Sequence, residues 1–314
     1  MKSSNIGGQA VLEGIMMKNE EEYAVAVRKP DGEIEVKVDT YEGVAKKLGE
    51  IKKIPFIRGV FSFVDSLVLG MSTLMYSASF WEDEEEPEKA LTEAELRKQE
   101  KQEKFMMGGT IAFSIVFAVA IFMVLPYVLT TFLKRFDLSA GMFAVCEGII
   151  KILIFFGYIL MISQMKDIKR VFMYHGSEHK CINCIEHGLE LTVENVKKSS
   201  RLHKRCGTSF LLFVMIVSII LHFFVRFDSG VWNVIARILL VPVIAGISYE
   251  LIKWAGNSEN KIIGTLSIPG LMLQKITTKE PEDDMIEVAI RAVEAVFDWE
   301  AYREENFGEA VHDV

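Results

Sequence analysis

Hydrophobic and polar positions change their spacing along this chain, and each change predicts a different kind of element. In residues 1–40 the stretch YAVAVRKPDGEIEVKV alternates apolar and polar residues on both sides of Lys29-Pro30-Asp31-Gly32. That period of two predicts a β-hairpin, with Pro30 and Gly32 supplying the turn. Ala10 to Met17 (AVLEGIMM) offers a third strand, since a lone two-stranded hairpin is marginal in water. From Tyr41 the spacing becomes helical. VAKKLGEIKK reads as amphipathic, and IPFIRGVFSFVDSLVLGMSTLMYSASF is nearly all apolar apart from Arg58 and Asp65. Those two charges, with several Ser and Gly, favour an interfacial or re-entrant helix, or one buried against a bundle, over a lipid-facing span.

The run EDEEEPEKALTEAELRKQEKQEK predicts an exposed linker ending in a helix, with capping-box spacing at Thr92–Glu95. No charged residue then occurs between Lys104 and Lys134. As a helix that stretch would reach about 40 Å, more than the ~30 Å hydrocarbon core of a bilayer, and Pro126 predicts a kink in it. Four spans are expected, over residues 106–130, 139–164, 209–225 and 231–252. Glu147 and Lys151 lie one turn apart in the second and are placed to pair, while Arg237 and Glu250 interrupt the fourth. After Trp254 comes a loop containing Pro269-Gly270, then EDDMIEVAIRAVEAVFDWEAY, whose apolar residues recur at helical spacing.

Composition sharpens the membrane reading. Half of the 314 residues are hydrophobic, mean hydropathy is +0.25, and there are 21 Phe and 15 Met. Net charge is −8, with an acidic run from Glu82 to Glu88, so no nucleic-acid partner is expected. MKSSNIGGQAVLEG has no basic stretch followed by an apolar core, so no cleavable signal is expected. Lys98, Lys101, Lys104, Lys166, Lys169, Arg170, Arg201, Lys204 and Arg205 place the 165–208 loop and both termini in the cytoplasm. The expected organisation is a cytoplasmic β module (1–40), amphipathic and interfacial helices (41–81), a charged linker and helix (82–104), a transmembrane hairpin (105–164), a His/Cys-rich loop (165–208), a second hairpin (209–253) and a helical tail (254–314). The fold class is thus an α-helical membrane bundle carrying a small α+β cytoplasmic cap.

Chemistry concentrates in the loop, which holds four of the six histidines and three of the four cysteines. In Tyr174-His175-Gly176-Ser177-Glu178-His179-Lys180, positions i, i+3 and i+4 share one helical face, so two imidazoles can bind one metal with a carboxylate alongside. This is the H-x-x-E-H order of inverted zinc metallopeptidases, in which the glutamate is the base. Gly176 weakens the helical assumption. A rival constellation overlaps it: Cys181-x-x-Cys184 with His187, His203 and Cys206 would make a closed structural zinc site. Cys146 reads as packing, His187 as exposed, His222 as a donor to a nearby backbone carbonyl, and His312 as part of a disordered end. Gly7, Gly8 and Gly14 read as tight β packing, because a phosphate loop would need a lysine and a strand–loop–helix spacing.

YHGSEHK, LTVENV leading into LHKRCGTSF, the opening GGQAVLEGIMM and the closing PGLMLQKITTKEPEDDMIEVAI resemble the YqhQ-like family of bacterial membrane proteins over nearly the whole chain. That family is known as a domain of unknown function and described as a predicted metal-dependent enzyme, so the resemblance implies a fold and not a reaction. It implies that His175, Glu178, His179, Glu186, His203, Arg205 and Cys206 belong to the family pattern, with Gln9, Glu13 and Glu280. Cys181 and Cys184 stand outside it, and Lys204 replaces a common proline. The expected metal ligands are His175, His179, His203, then Cys206 or Glu186; Glu178 and Arg205 are the catalytic candidates.

The leading expectation is a hydrolase of the bacterial inner membrane, zinc being the favoured divalent metal, acting at the cytoplasmic face on a peptide or lipid-derived substrate. The alternative is a scaffold or small-solute transporter with a structural zinc in its cap. The bilayer is the expected partner; homo-oligomerisation and any protein partner stay open.

Overall fold

Strand-forming sequence in the first forty residues makes more of a sheet than one hairpin. The computed structural model describes residues 2–43, 49, 54–81, 93–136, 138–225, 227, 229–257 and 267–308. The chain divides into two units, one of residues 1–81, 159–217 and 242–314, the other of residues 82–158 and 218–241. Strands β1 (Gly7–Val11), β2 (Gly14–Asn19), β3 (Glu22–Arg28) and β4 (Ile34–Thr40) form an antiparallel sheet in sequence order. The helices are α1 (Ile57–Ala78), α2 (Glu93–Val119), α3 (Leu125–Thr131), α4 (Ala140–Ile162), α5 (Lys166–Glu186), α6 (Val193–Lys198), α7 (Gly207–Phe224), α8 (Gly230–Leu239), α9 (Val241–Asn257), α10 (Ile268–Thr277), α11 (Asp283–Glu294) and α12 (Trp299–Phe307).

The β3–β4 pair is the predicted hairpin, with Arg28 opposite Ile34 across the turn. AVLEGIMM, however, is not a single strand. It doubles back at Leu12-Glu13, so that Val11 pairs with Gly14. Glu13 adopts a left-handed φ of 49° there, a conformation uncommon outside glycine. Its carboxylate accepts hydrogen bonds from the Arg170 guanidinium and the Tyr174 hydroxyl, which hold the turn against α5.

β2 and β3 are buried on both faces. Ile15, Met17, Ala24 and Ala26 join a core with Ile182 and Ile185 of α5 and with Ile286 and Ala289 of α11. On the opposite face Val11, Met16, Val25 and Val27 pack with Leu69, Tyr76 and Phe80, in and just after α1. Burying each such Val, Ile or Met side chain contributes about 1.5–3 kcal/mol, and the sheet is thereby the middle layer between α1 and the α5–α11 pair.

α1 meets the sheet through its small residues. Gly70, Thr73 and Ser77 are buried; a Cβ on Gly70 would lie 2.3 Å from the Gln9 side chain, and Ser77 accepts a hydrogen bond from the Leu12 N–H. Its two charges are engaged: Arg58 donates to Glu250, and Asp65 accepts from Tyr41. The opposite face, with Val64, Leu67, Val68, Met71, Leu74 and Met75, is exposed.

Among the described residues, four stretches are long and apolar enough to cross a membrane: Ile57–Ala78, Gly108–Thr131, Gly141–Ile162 and Gly207–Phe224. The expected fourth span, 231–252, is instead two helices, α8 and α9, bent by 43°, which add a fifth if the pair crosses as one. The stretch from 57 is one continuous helix. A π-helical turn, Ala120–Val124, stands immediately before Pro126, whose missing N–H cannot serve the usual carbonyl. Pro269-Gly270, expected in a loop, starts α10, with proline in the first helical turn where its lack of an N–H costs nothing. Most of VAKKLGEIKK, the Thr92 cap and His312 lie outside the described residues.

Gly176 sits in the middle of α5 because another backbone runs against it. A Cβ there would meet the Lys279 carbonyl oxygen at 2.0 Å, and the Lys279 N–H donates to Phe172 O at 2.8 Å. On an exposed helix Gly→Ala stabilises by about 0.5–1 kcal/mol. Here overpacking reverses the sign: Gly176→Ala lowers stability by about 1–3 kcal/mol, read by denaturant melts of the detergent-solubilised protein. A gain in stability would show that the close approach is absent.

Candidate metal centre

Helix α5 presents His175, Glu178 and His179 one turn apart, as the sequence spacing requires. The 199–206 segment returns beside it because α5 supplies donors for its carbonyls. The Lys180 ammonium donates to Lys197 O and Ser199 O, and the Asn183 amide to Ser200 O and Leu202 O. Glu280 binds both Lys180 and Arg201, tying the chain after α10 to the same place. The result sets Cys206, the residue before α7, against the two imidazoles.

Ligand atoms of His175, His179 and Cys206 all lie within 4.8 Å of one another, and they are the one such trio of His, Cys, Asp or Glu among the described residues. Hydrogen bonds fix the tautomers. His175 Nδ1 is 2.9 Å from Thr277 O, and His179 Nδ1 is 2.7 Å from Arg201 O. A carbonyl only accepts, so each Nδ1 carries the proton and each Nε2 keeps its lone pair. His175 Nε2 is 3.2 Å from Cys206 Sγ. Burial holds the His179 pKa below its ordinary value, so the ring is neutral. Cys206 Sγ also accepts from the Thr208 N–H at 3.3 Å. Two imidazoles, each oriented through Nδ1 by a carbonyl, facing a thiol, form a donor set that fits a zinc-like cation.

The other expected residues sit elsewhere. Glu186 and His203, expected as ligands, are bonded to each other at 3.3 Å. Glu186 also accepts from the Ser4 N–H at 2.8 Å and from Arg205. Burial pushes its pKa up, but His203, the Ser4 N–H and Arg205 outweigh this and hold it below the carboxylate norm. His203 Nδ1 faces the Arg205 N–H at 3.4 Å, so its proton is on Nε2 toward Glu186, and the ring has no lone pair free for a metal. Gln274 grips the His203 backbone, accepting from its N–H and donating to its carbonyl, both at 2.8 Å. The His203 ring centre nevertheless lies 5.9 Å from that of His179, so the Glu186–His203–Arg205 set borders the trio.

Cys181 and Cys184 are fully buried in the apolar core, where burial pushes both thiols above their ordinary pKa. Cys184 donates to Glu190 O. The four-ligand C-x-x-C site is therefore not assembled, because that face of α5 meets the sheet and α11. His187 is exposed, as expected. His222 bonds to the side chains of Ser218 and Lys151, and not to a backbone carbonyl.

A family model described as "Protein of unknown function (DUF1385)" matches residues 54–299. The chain belongs to this family. It is also 37% identical, over 306 residues, to the protein named "Uncharacterized protein YqhQ" of Bacillus subtilis (strain 168), with 96% of this chain and 94% of that protein covered. No solved structure matches. The span matched to the DUF1385 family contains the trio, the neighbouring Glu186–His203–Arg205 set, and the positioning residues Lys180, Asn183, Arg201, Gln274 and Thr277. Sequence reasoning missed these five; the available signal was buried polar residues within α5 and α10 for Lys180, Asn183, Gln274 and Thr277, and none marks Arg201, which lies between α6 and α7.

Glu178 lies against β1, its Cγ 3.0 Å from the position of a Cβ on Gly8, and its Oε2 is buried without a hydrogen-bond partner. Burial raises its pKa above the ordinary 4.5, offset in part by His175 and the Gly8 N–H. The folded state thus binds this proton more tightly than the unfolded chain. Its contribution to stability is full below pH 4.5 and is lost as pH rises through the raised value. Glu178→Gln, compared with the parent in metal-chelated protein, gains relative stability steadily as pH rises; a pH-independent difference in melting temperature would contradict the buried, unpaired carboxyl.

Proposed function

We propose that the protein is a metal-dependent hydrolase of the bacterial inner membrane, acting at the cytoplasmic face on a peptide or lipid-derived substrate. The observation that carries this reading is that ligand atoms of His175, His179 and Cys206 lie within 4.8 Å of one another, with both Nδ1 atoms already engaged by carbonyls. Three protein ligands leave a position for substrate or water, the pattern of catalytic and not of structural zinc sites. A divalent metal held there supplies Lewis acidity toward a carbonyl or phosphoryl oxygen. Glu178, one helical turn from His175 and with burial raising its pKa above the carboxylate norm, is the general acid or base. Arg205, partly exposed and anchored by Glu186, orients an anionic part of the substrate. His203 neighbours His179 and steadies the shell without joining it.

Placement at the membrane follows from Cys206 directly preceding α7, an apolar helix long enough to span. In this reading α2–α3, α4 and α7 cross the bilayer, as do α8–α9 together. α1 lies along the surface, with its small-residue face on the sheet and its apolar face in lipid. The basic residues around 165–208 put the centre in the cytoplasm.

The burial of His179 and Cys206, 1% and 5% exposed, favours a second reading in which the metal closes the cap and does not react. Elemental analysis with a parallel melt separates the two. Wild type carries roughly one metal per chain, and His179→Ala and Cys206→Ser each lose it. Survival of the fold in the metal-free variants supports catalysis, and unfolding on metal loss supports the structural role. Wild-type protein without stoichiometric metal would sink both.

A further inference from the structure

One edge of the four-stranded sheet is open. The strand order is β1-β2-β3-β4, and β4 ends it among the described residues. Every residue from Glu35 to Thr40 is exposed, Val36 at 36% and Val38 at 51%. Such an edge offers unpaired N–H and C=O groups to another strand, and folds commonly guard it with a proline, a bulge, a very short strand or a lysine. β4 has no proline, and it pairs without a bulge from Arg28↔Ile34 to Glu22↔Thr40. Only Lys37 is a guard of this kind.

Backbone parity fixes which groups point outward. At the two ends of the β3–β4 ladder the Lys29 N–H donates to Glu33 O and the Tyr41 N–H to Glu21 O, both at 2.9 Å. Odd-numbered residues of β4 therefore bond to β3, and Ile34, Val36, Val38 and Thr40 direct their N–H and C=O groups away from it. Thr40 is already engaged, since its N–H donates to Asp39 Oδ1 at 2.8 Å. That leaves Ile34, Val36 and Val38, a set symmetric about Val36. Side chains follow the same division. Val36 and Val38 stand opposite Ala26 and Ala24, on the face toward α5 and α11, while Glu35 and Lys37 stand opposite Val27 and Val25, on the face toward α1.

We propose that two copies of the chain join antiparallel through β4, about a two-fold axis at Val36, into one continuous sheet. The strand is complementary to itself in that register. Ile34, Val36 and Val38 exchange main-chain hydrogen bonds with Val38, Val36 and Ile34 of the second copy, which also sets β-branched side chains against one another. On the other face Glu35 stands opposite the second copy's Lys37, in the closer, non-hydrogen-bonded pairs, where opposite charges stabilise. Lys37 thus selects this strand instead of repelling every strand. Glu33 and Asp39 also come opposite one another, but Lys29 and Lys37 of their own chains accompany them at 3.1 and 3.6 Å. A two-fold axis between antiparallel strands is perpendicular to the sheet, so both copies present α1 on the same side, which two chains sharing a membrane require. No residue of the metal centre takes part.

Cysteine cross-linking of the full chain in membranes tests both partner and register. Facing hydrogen-bonded residues have Cα atoms about 5.5 Å apart, within disulfide reach, whereas the two copies of Val38 are offset by about 14 Å along the strands. Under copper-catalysed air oxidation Val36→Cys gives a disulfide-linked dimer above the wild-type background, and Val38→Cys does not. Adding Glu35→Lys to Val36→Cys places like charges opposite each other and lowers the dimer fraction several-fold; adding Lys37→Glu as well restores it. All four positions are at the exposed edge, so the variants keep the fold. Absence of a dimer from Val36→Cys, equal yields from Val36→Cys and Val38→Cys, or a yield indifferent to the charge changes overturns the proposal.

Discussion

Burial of the second half of α5 on every side is the constraint from which the rest of the first unit follows. Gly176 through Glu186 are all buried, although this run contains Ser, Glu, His, Lys, Asn and a second Glu. A buried polar group without a partner costs about 1–3 kcal/mol, so the surrounding chain must come to the helix and satisfy it. The 197–202 carbonyls do so for Lys180, His179 and Asn183. Thr277, at the end of α10, does so for His175, and Gly176 lets the chain that follows come close at Lys279. Ser4 and Arg205 do so for Glu186. The His175–His179–Cys206 trio is a product of that wrapping: the carbonyls that satisfy the two Nδ1–H groups turn both Nε2 atoms toward Cys206.

Much of this was legible in the sequence where a period carried it. The β3–β4 hairpin and the helical H-x-x-E-H face follow from spacing alone, as do the long apolar stretches. What escaped was set by tertiary contact. AVLEGIMM reads as one strand because its turn, Leu12-Glu13, carries no glycine at the left-handed position; Arg170 and Tyr174 hold Glu13 there instead. The 231–252 stretch reads as one span by its apolar pattern, but Pro242, two residues past Leu240, lacks the N–H that would continue α8, and the helices bend there by 43°. Gly176 looked like an argument against a helix and is instead the mark of a crossing backbone.

The site divided along the same line. Spacing identified His175 and His179, and the density of ligand types identified Cys206 and His203. It could not say which of these keeps a lone pair free, because that depends on carbonyls and side chains distant in sequence. His203 is spent on Glu186 and Arg205, whereas the two α5 imidazoles donate only through Nδ1. C-x-x-C was persuasive as a string, but residues 181 and 184 share the face of α5 that packs on the sheet. The same helix therefore carries sulfur for the core on one side and the two imidazoles that face Cys206 on another.

The proposed centre has two imidazole nitrogens and one thiolate. X-ray absorption at the zinc edge of the metal-loaded wild-type protein measures that shell directly. The prediction is one sulfur at about 2.3 Å and two histidine nitrogens at about 2.0 Å, with one further light atom, and loss of the sulfur scatterer alone in Cys206→Ser. A shell of two or more sulfurs, or one with no sulfur in wild type, would contradict it.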